Sequence, residues 1–472
     1  MNKLIYSAVF LLLLSACQTV KEYSRPDLDV PTNFRGAKVQ AQDENENNLI
    51  SWKTFFSDNI LQNMINIVLQ RNYDLAQAMD NIRINQQYLK QSRAAWQPSI
   101  SMNINAGSNY FSDNSLNGSN GFNLNNTIGV RHIDDYTIGS EISWEADIWG
   151  KLKNQKAEAL AGWLQSQQAK RALQTRLIAS TAIAYYNIIM LKEQLGITRK
   201  NLALSDSIVH LICLQQINGA ATSLALQQAE VQRKSIEAII PDLEETLFIQ
   251  ENALNFLMAN QPATIPTLPI TKDFEAPAGF FSGVPASLLR NRPDIKSKEY
   301  ELQAANARIG YHQASLYPSL NITAAGGLNS FQSANWLNIP ASVFGNLTGN
   351  LIQPLMNRRK LKTALNVSKI SYEQKTNEFR NTVLQAIGEV SGSLFKTQKL
   401  KEKITIAQSK NKILHKAISD AGLLFTNGMA NYLEVITVQQ NLLENELSLA
   451  QLKKQQATAY VELFRALGGG AD

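Results

Sequence analysis

The chain has 472 residues, 44% hydrophobic and 18% charged, with 13 Pro, 24 Gly and a formal net charge of +6. That composition excludes a disordered chain, and cations dispersed along the sequence, without a basic block, argue against a nucleic-acid binder. Two cysteines cannot build a disulfide framework, and beyond the N-terminus no run of about 18 apolar residues reads as a spanning helix.

Lys3 is followed by the apolar run Leu4 to Ala16, broken by Tyr6, Ser7 and Ser15. A charged start and an apolar stretch too short to span a bilayer mark residues 1–16 as a signal peptide. The stretch ends Leu14-Ser15-Ala16-Cys17, which resembles a bacterial lipobox. Cys17 is therefore expected to carry acyl chains, each buried CH₂ contributing roughly 0.8 kcal/mol of membrane attachment. An ordinary cleaved signal with an incidental cysteine is the alternative. Gln18 is not the Asp that, in the resemblance, retains lipoproteins at the inner membrane.

After a helical stretch that ends near Trp96-Gln97-Pro98, the pattern changes to period two. Ile100, Met102, Ile104 and Ala106 fall on one face, Ser101, Asn103 and Asn105 on the other. From Tyr136 the alternation is sharper: Ile138, Ile142, Trp144, Ala146 and Ile148 oppose Thr137, Glu141, Ser143, Glu145 and Asp147. Such alternation predicts strands, and runs of about 9–13 residues are long enough for tilted membrane strands. A half-buried sheet in a water-soluble protein would show the same alternation. The Gly/Asn/Ser-rich segment Ser112 to Asn126 between the two strands suits an exposed loop.

Lys151 to Ile217 contains no Pro and only Gly162 and Gly196. A helix of that length would reach roughly 100 Å at 1.5 Å per residue, which points to a coiled-coil architecture. Within it, Leu177 to Leu191 reads as buried rather than membrane-spanning, and Cys213 as a small packing residue. Asn218-Gly219-Ala220-Ala221-Thr222-Ser223 then predicts a tight turn: Gly219 can take the positive φ of a helix C-terminus, and Thr222 or Ser223 can cap the helix that follows.

A connector with Pro262, Pro266, Pro269, Pro277 and Pro285 precedes a second copy of the same pattern. Asp74-Leu75 to Ser99-Ile100 matches Asp294-Ile295 to Ser319-Leu320 at an offset of 220, and Asn218-Gly219 to Leu224 matches Asn427-Gly428 to Leu433 at an offset of 209. Leu320, Ile322, Ala324 and Leu328 predict a third strand, and Val343, Leu347 and Leu351 a fourth, joined by a loop over Ser330 to Asn338. A second Pro-free stretch, Arg358 to Thr426, ends at Asn427-Gly428-Met429-Ala430-Asn431, with Asn431 the candidate cap. Both long helices carry irregular apolar stripes and Gln/Asn/Ser-rich remainders, compatible with one face lining a wetted cavity or with a solid bundle. Four strands cannot close on themselves in lipid, where no edge can stay unpaired. Two copies give eight strands, too few for an open bore; three give twelve, enough to conduct.

The duplicated frame carries Ser143-Trp144-Glu145-Ala146-Asp147-Ile148-Trp149-Gly150-Lys151, Leu289-Arg290-Asn291-Arg292-Pro293-Asp294-Ile295, Ala304-Ala305-Asn306-Ala307-Arg308-Ile309-Gly310 and the terminal Ala466-Leu467-Gly468-Gly469-Gly470. Together, and in this order, they resemble the TolC-like outer-membrane factor superfamily, in its lipidated NodT-type branch that serves RND efflux pumps. The resemblance implies a mainly α fold with a membrane β-barrel: four strands and long coiled-coil helices per chain, and a homotrimer with a twelve-stranded barrel and a periplasmic helical barrel. It implies a lipidated N-terminal and equatorial segment over 17–70, repeats over 71–258 and 291–472, and the connector at 259–290. It implies a passive duct in the outer membrane that exports drugs or toxic small molecules. Its partners would be a periplasmic adaptor, an inner-membrane RND transporter and outer-membrane lipid. The tips Asn218, Gly219, Ala220, Asn427, Gly428 and Met429 would meet the adaptor. Phe425, Glu434 and Thr437 match the family's periplasmic gate positions. Thr437 departs from the carboxylate often found there, so an acidic ring would rest on Glu434, which could equally face outward. Arg358-Arg359 replaces the usual Gly-Gly after the fourth strand and puts the tight turn there in doubt.

His132, His210, His312 and His415 lack metal-ligand spacing, and no HExxH, GxSxG or GxxxxGK[ST] motif occurs. No catalytic residue, metal or cofactor is expected, apart from the lipid on Cys17. A duct for type I protein secretion and a coiled-coil scaffold lipoprotein are the competing readings.

Overall fold

The computed structural model describes residues 22–27, 51–112, 114–115, 132–267 and 292–470. Cys17, most of the loop Ser112 to Asn126, the connector prolines Pro269, Pro277 and Pro285, and Leu289 to Asn291 lie outside them.

Helices and strands recur in two sets of matching length. Helices α1 (Trp52–Phe55) and α2 (Asn59–Arg71) precede the first set. The first set is α3 (Tyr73–Ala94), β1 (Ser99–Tyr110), β2 (His132–Ala146), α4 (Lys151–Ile217) and α5 (Ser223–Leu257). The second is α6 (Pro293–Ala314), β3 (Ser319–Ser330), β4 (Val343–Ile352), α7 (Lys360–Thr426) and α8 (Tyr432–Ala466), with a 3₁₀ turn at Ser333–Asn335 between its strands. α3 and α6 both have 22 residues, β1 and β3 both 12, α4 and α7 both 67, and α5 and α8 both 35. The two offsets read from the sequence thus hold residue for residue. Their difference of 11 falls in the strand region, where the second hairpin is shorter.

The predicted helix ends have the expected chemistry. At the first tip Ala220 N–H donates to Gln215 and Gly219 N–H to Gln216; at the second, Met429 N–H donates to Leu424 and Gly428 N–H to Phe425. That double bond pattern closes a helix when the residue after it has positive φ, and Gly219 and Gly428 hold φ of 71° and 73°. Thr222 and Asn431, not Ser223, accept the capping bonds of α5 and α8. Leu177 to Leu191 is buried within α4 as expected, and no described helix is long and apolar enough to cross a membrane.

Two differences concern the strands. β2 already begins at His132, paired with Tyr110; His132 and Asp134 put polar side chains on its otherwise apolar face, which hides the alternation until Tyr136. It ends at Ala146, so Ile148 lies beyond it. The tight turn after β4 is kept despite the missing glycines: Arg358 and Arg359 hold φ of 40° and 61°.

Contacts divide the chain into two units, each drawing on both repeats. One unit holds residues 22–26, 83–164 and 300–377, and with them the whole sheet. The other holds the described residues of 51–82, 165–299 and 378–470, and with them both helical tips.

Candidate functional site

In the sheet unit, the four strands run in the order β1-β2-β3-β4, all antiparallel, so β1 and β4 are edges. The register carries single rows across all four strands. Ile100, Ile142, Ala324 and Leu347 form one row, and Ile104, Ile138, Leu328 and Val343 another. Because side chains alternate across the pleat, Ser101, Glu141, Ala325 and Asn346 form a row on the opposite face. The apolar face is uncovered: Ile100 is 71% and Leu347 78% exposed. Residues of both faces are exposed along the edge strands, and a large apolar face left exposed is what a water-soluble half-buried sheet avoids.

Aromatic rings gather at both ends of the strands. At one end Trp144 Nε1 donates to the carbonyl of Trp96, and Trp149 Nε1 donates to that of Pro318 while its ring stacks on Tyr317 at 4.9 Å. At the other, Tyr110 packs on His132 and Tyr136 on Trp336. Aromatic side chains with one polar atom favour the boundary between hydrocarbon and water. Inside the sheet, Gly139 makes room on the polar face for the ring of Phe344, and Gly327 beside it lets the β2 backbone at Ile138 and Gly139 come close.

In the helical unit, the two tips share one apolar core of Ile208, Ile212, Ala225, Ala229, Ala421, Phe425, Val435 and Ile436. Phe425, the candidate gate aromatic, is 6% exposed within that core. Glu434 and Thr437 stand together on the exposed side of α8, one turn apart, opposite Val435 and Ile436. The hydroxyl of Thr437 donates to the carbonyl of Leu433 and offers no negative charge. Asn218, Gly219, Ala220, Asn427, Gly428 and Met429 are all exposed, and so are Ile217, Leu224 and Leu433 beside them. A bond from the Tyr432 hydroxyl to Gln228 Oε1 ties the second tip to the first. Away from the tip, Arg233 pairs with Asp206 and Glu237 and crosses the first hairpin on its surface.

Sequence reading missed a polar layer beneath the tip core. Thr198, Asn201 and Ser205 of α4 and Gln439 and Asn445 of α8 are buried. Gln439 Nε2 donates to the Asn201 carbonyl, Asn201 Nδ2 to Glu446, and Asn445 Nδ2 to Ala407 of α7. The signal was present, since 198, 201 and 205 repeat at helical spacing, but a Thr/Asn/Ser stripe in a Gln-rich helix also reads as a wetted face.

A second missed feature is the anchoring of each repeat's start to its end. In the second repeat the buried Arg292 donates to the Ala466 carbonyl and to the carboxylates of Asp294 and Glu389. In the first, Asn72 donates to the Leu257 carbonyl. Burial pushes the Asp294 carboxyl up, but the hydrogen bonds and charge of Arg292 outweigh it and hold the group below its ordinary value. Among the described residues no group of three His, Cys, Asp or Glu side chains is placed to hold a metal ion. Cys213 is a free, half-buried thiol in α4.

The family model of the outer membrane efflux protein matches residues 64–260 and 284–469. The cation efflux system protein CusC of Escherichia coli is 26% identical over 462 residues, 97% of each chain. The toluene efflux pump outer membrane protein TtgF of Pseudomonas putida is 28% identical over 491 aligned positions, covering 97% of this chain and 95% of its own. Among solved structures, the Campylobacter jejuni CmeC outer membrane channel superposes with a TM-score of 0.85 at 20% identity, over 96% of this chain and 95% of that one.

Proposed function

The chain belongs to the outer membrane efflux protein family, and on that premise we propose that three copies form one outer-membrane duct of a tripartite RND-type pump. The observation that carries the reading is the four-stranded sheet, open at both edges and with one apolar face left exposed. Unpaired backbone groups on β1 and β4 have no solvent in hydrocarbon, so β1 of one copy would pair with β4 of the next. Twelve strands are the smallest multiple that leaves a bore.

The remaining parts follow from the same premise. Residues 1–16 would be removed and Cys17 lipidated. The described segment 22–26 belongs to the sheet's unit, so the acyl chains and the strands would enter one membrane. Repeats over 71–258 and 291–472, joined at 259–290, would each contribute one strand pair and one helical hairpin per copy. The exposed tips with Ile217, Leu224, Met429 and Leu433 would dock on a periplasmic adaptor that links the duct to an inner-membrane transporter. Glu434 would face the axis near the periplasmic end, where three carboxylates attract cations. Phe425 would act by holding the tip core together, because its ring is already covered within one chain. The relatives named for cation and for toluene efflux share this frame to similar extents, which supports a duct whose cargo is chosen elsewhere in the pump.

The test is conductance of the purified full-length protein in a planar bilayer, with its mass in detergent. Steady channels from a trimer are expected, with altered cation preference in Glu434→Ala. A monomer that stays in solution without detergent would refute the duct; unchanged traces for Glu434→Ala would remove Glu434 from the gate alone.

A further inference from the structure

The end of β4 carries a basic and apolar collar that its counterpart in the first repeat lacks. From Leu351 to Tyr372 the sequence holds Arg358, Arg359, Lys360, Lys362 and Lys369 and no Asp or Glu. Arg358, Arg359, Lys360 and Lys362 are exposed, and among the described residues none of the four has a carboxylate partner. Just ahead of them Leu355 is 89% and Met356 97% exposed.

The same stretch 209 residues earlier is internally neutralised. Lys151, the counterpart of Lys360, lies 2.9 Å from Glu145, and Asp147 accepts bonds from the backbone of Leu152 and Lys153. The positions that match Glu145 and Asp147 are Pro354 and Met356. Where the first repeat supplies two carboxylates, the second supplies none and adds two arginines. Those arginines sit at φ of 40° and 61°, while the matching turn of the first repeat uses Gly150 at 75°. Side chains rarely adopt this region, so the charge is kept against a backbone penalty that glycine would remove.

The collar's position identifies the partner. Ile352 ends β4 opposite Ser319 at the start of β3. Trp96, Trp144 and Trp149 cluster at this same end of the sheet, marking the level where hydrocarbon meets water. Just beyond this end of β4, Leu355 and Met356 leave large apolar side chains exposed. Resting on the membrane reading above, we propose that Arg358, Arg359, Lys360 and Lys362 bind the phosphate-bearing headgroups of anionic phospholipids in the periplasm-facing leaflet, with Leu355 and Met356 set among the acyl chains. Apolar side chains followed at once by unpaired cations match a lipid that is apolar, then anionic, along the same axis.

The experiment uses the full-length oligomer in a neutral detergent, offered equal phosphatidylglycerol and phosphatidylcholine of one chain length, with retained lipid counted by native mass spectrometry. Removing two surface cations corresponds to roughly thirtyfold in retention of the anionic lipid. The parent is expected to prefer phosphatidylglycerol by at least about thirtyfold, Arg358→Gly/Arg359→Gly to lower that preference by about thirtyfold, and Arg358→Lys/Arg359→Lys to keep it. Glycine relaxes the turn, so the first variant is expected to fold. Equal preference in parent and glycine variant overturns the proposal. So does loss of preference in the lysine variant, which would assign the effect to turn geometry. Competition by excess inorganic phosphate would identify a free-anion site, and dissociation of the glycine variant into single chains would assign the collar to a neighbouring copy; either overturns the lipid. A parent that retains neither lipid would instead refute the membrane reading itself.

Discussion

The first and second repeats share helices of identical length but differ in how they hold equivalent places, and the differences fall where the two halves meet different surroundings. Gly107 in the edge strand β1 has open space around the position a Cβ would take. Its counterpart Gly327, in the inner strand β3, has the Ile138 carbonyl oxygen 2.2 Å from that position. The first repeat anchors its end with the neutral amide of Asn72, the second with the guanidinium of Arg292. The first strand-to-helix turn uses Gly150, the second Arg359. Duplication therefore fixes element lengths, while each position's chemistry follows its neighbours.

The largest expected effect breaks the symmetry at the glycine pair. Gly327→Ala must move backbone in an inner strand, at a cost of about 3 kcal/mol by overpacking. Gly107→Ala meets nothing within its own chain and is expected within about 0.5 kcal/mol of the parent. Yield of folded, detergent-extracted oligomer from the membrane fraction separates them. Equal yields would mean that β3 is not held between β2 and β4 as described.

Next comes the anchor pair. Arg292→Ala removes a buried cation that serves one carbonyl and two half-exposed carboxylates, and is expected to cost about 2 kcal/mol. Asn72→Ala loses one buried neutral bond and is expected to cost about 1 kcal/mol. Hydrogen exchange at the C-terminal turn of α8 and of α5 reads each anchor separately. A larger effect at Asn72 would reverse the ranking of charged over neutral anchors.

The anchors should also differ with pH. Asp294 is depressed below its ordinary value in the folded chain, so its stabilisation is complete above the unfolded carboxylate value, about 3.9. It is lost as pH falls through the lower folded value. The Arg292 anchor at the α8 end should loosen in that acid window, whereas the bond from Asn72 to Leu257 at the α5 end contains no titrating group. Asp294→Asn should remove the difference, and a modest effect is expected because Asp294 is partly open to solvent.

How much of this was legible depended on whether the repeats kept the same residue type. Pro98 and Pro318, and Asn218-Gly219 and Asn427-Gly428, are identical pairs, so strand starts and tips could be placed from the sequence. Asn72 and Arg292 share a task but not a chemical class, so no alignment of residue types reveals it. Phe425 reads as a gate aromatic by position alone; its burial needs Ile212 and Val435 from two other helices. Edge order was also hidden, because alternation tells which face a residue takes but not which strand lies beside it.

The smallest expected effect concerns the turns, and there the signs should oppose. Gly150→Ala forces a side chain into positive φ and is expected to destabilise by about 1 kcal/mol. Arg359→Gly removes a side chain already held at 61° and is expected to stabilise by less than about 1 kcal/mol, because the freer unfolded chain offsets part of the relief. Thermal unfolding of the two variants in one detergent measures both. If Arg359→Gly destabilises even without lipid, the guanidinium makes a contact within the protein that outweighs its strained backbone, and the second repeat holds its turn as internally as the first.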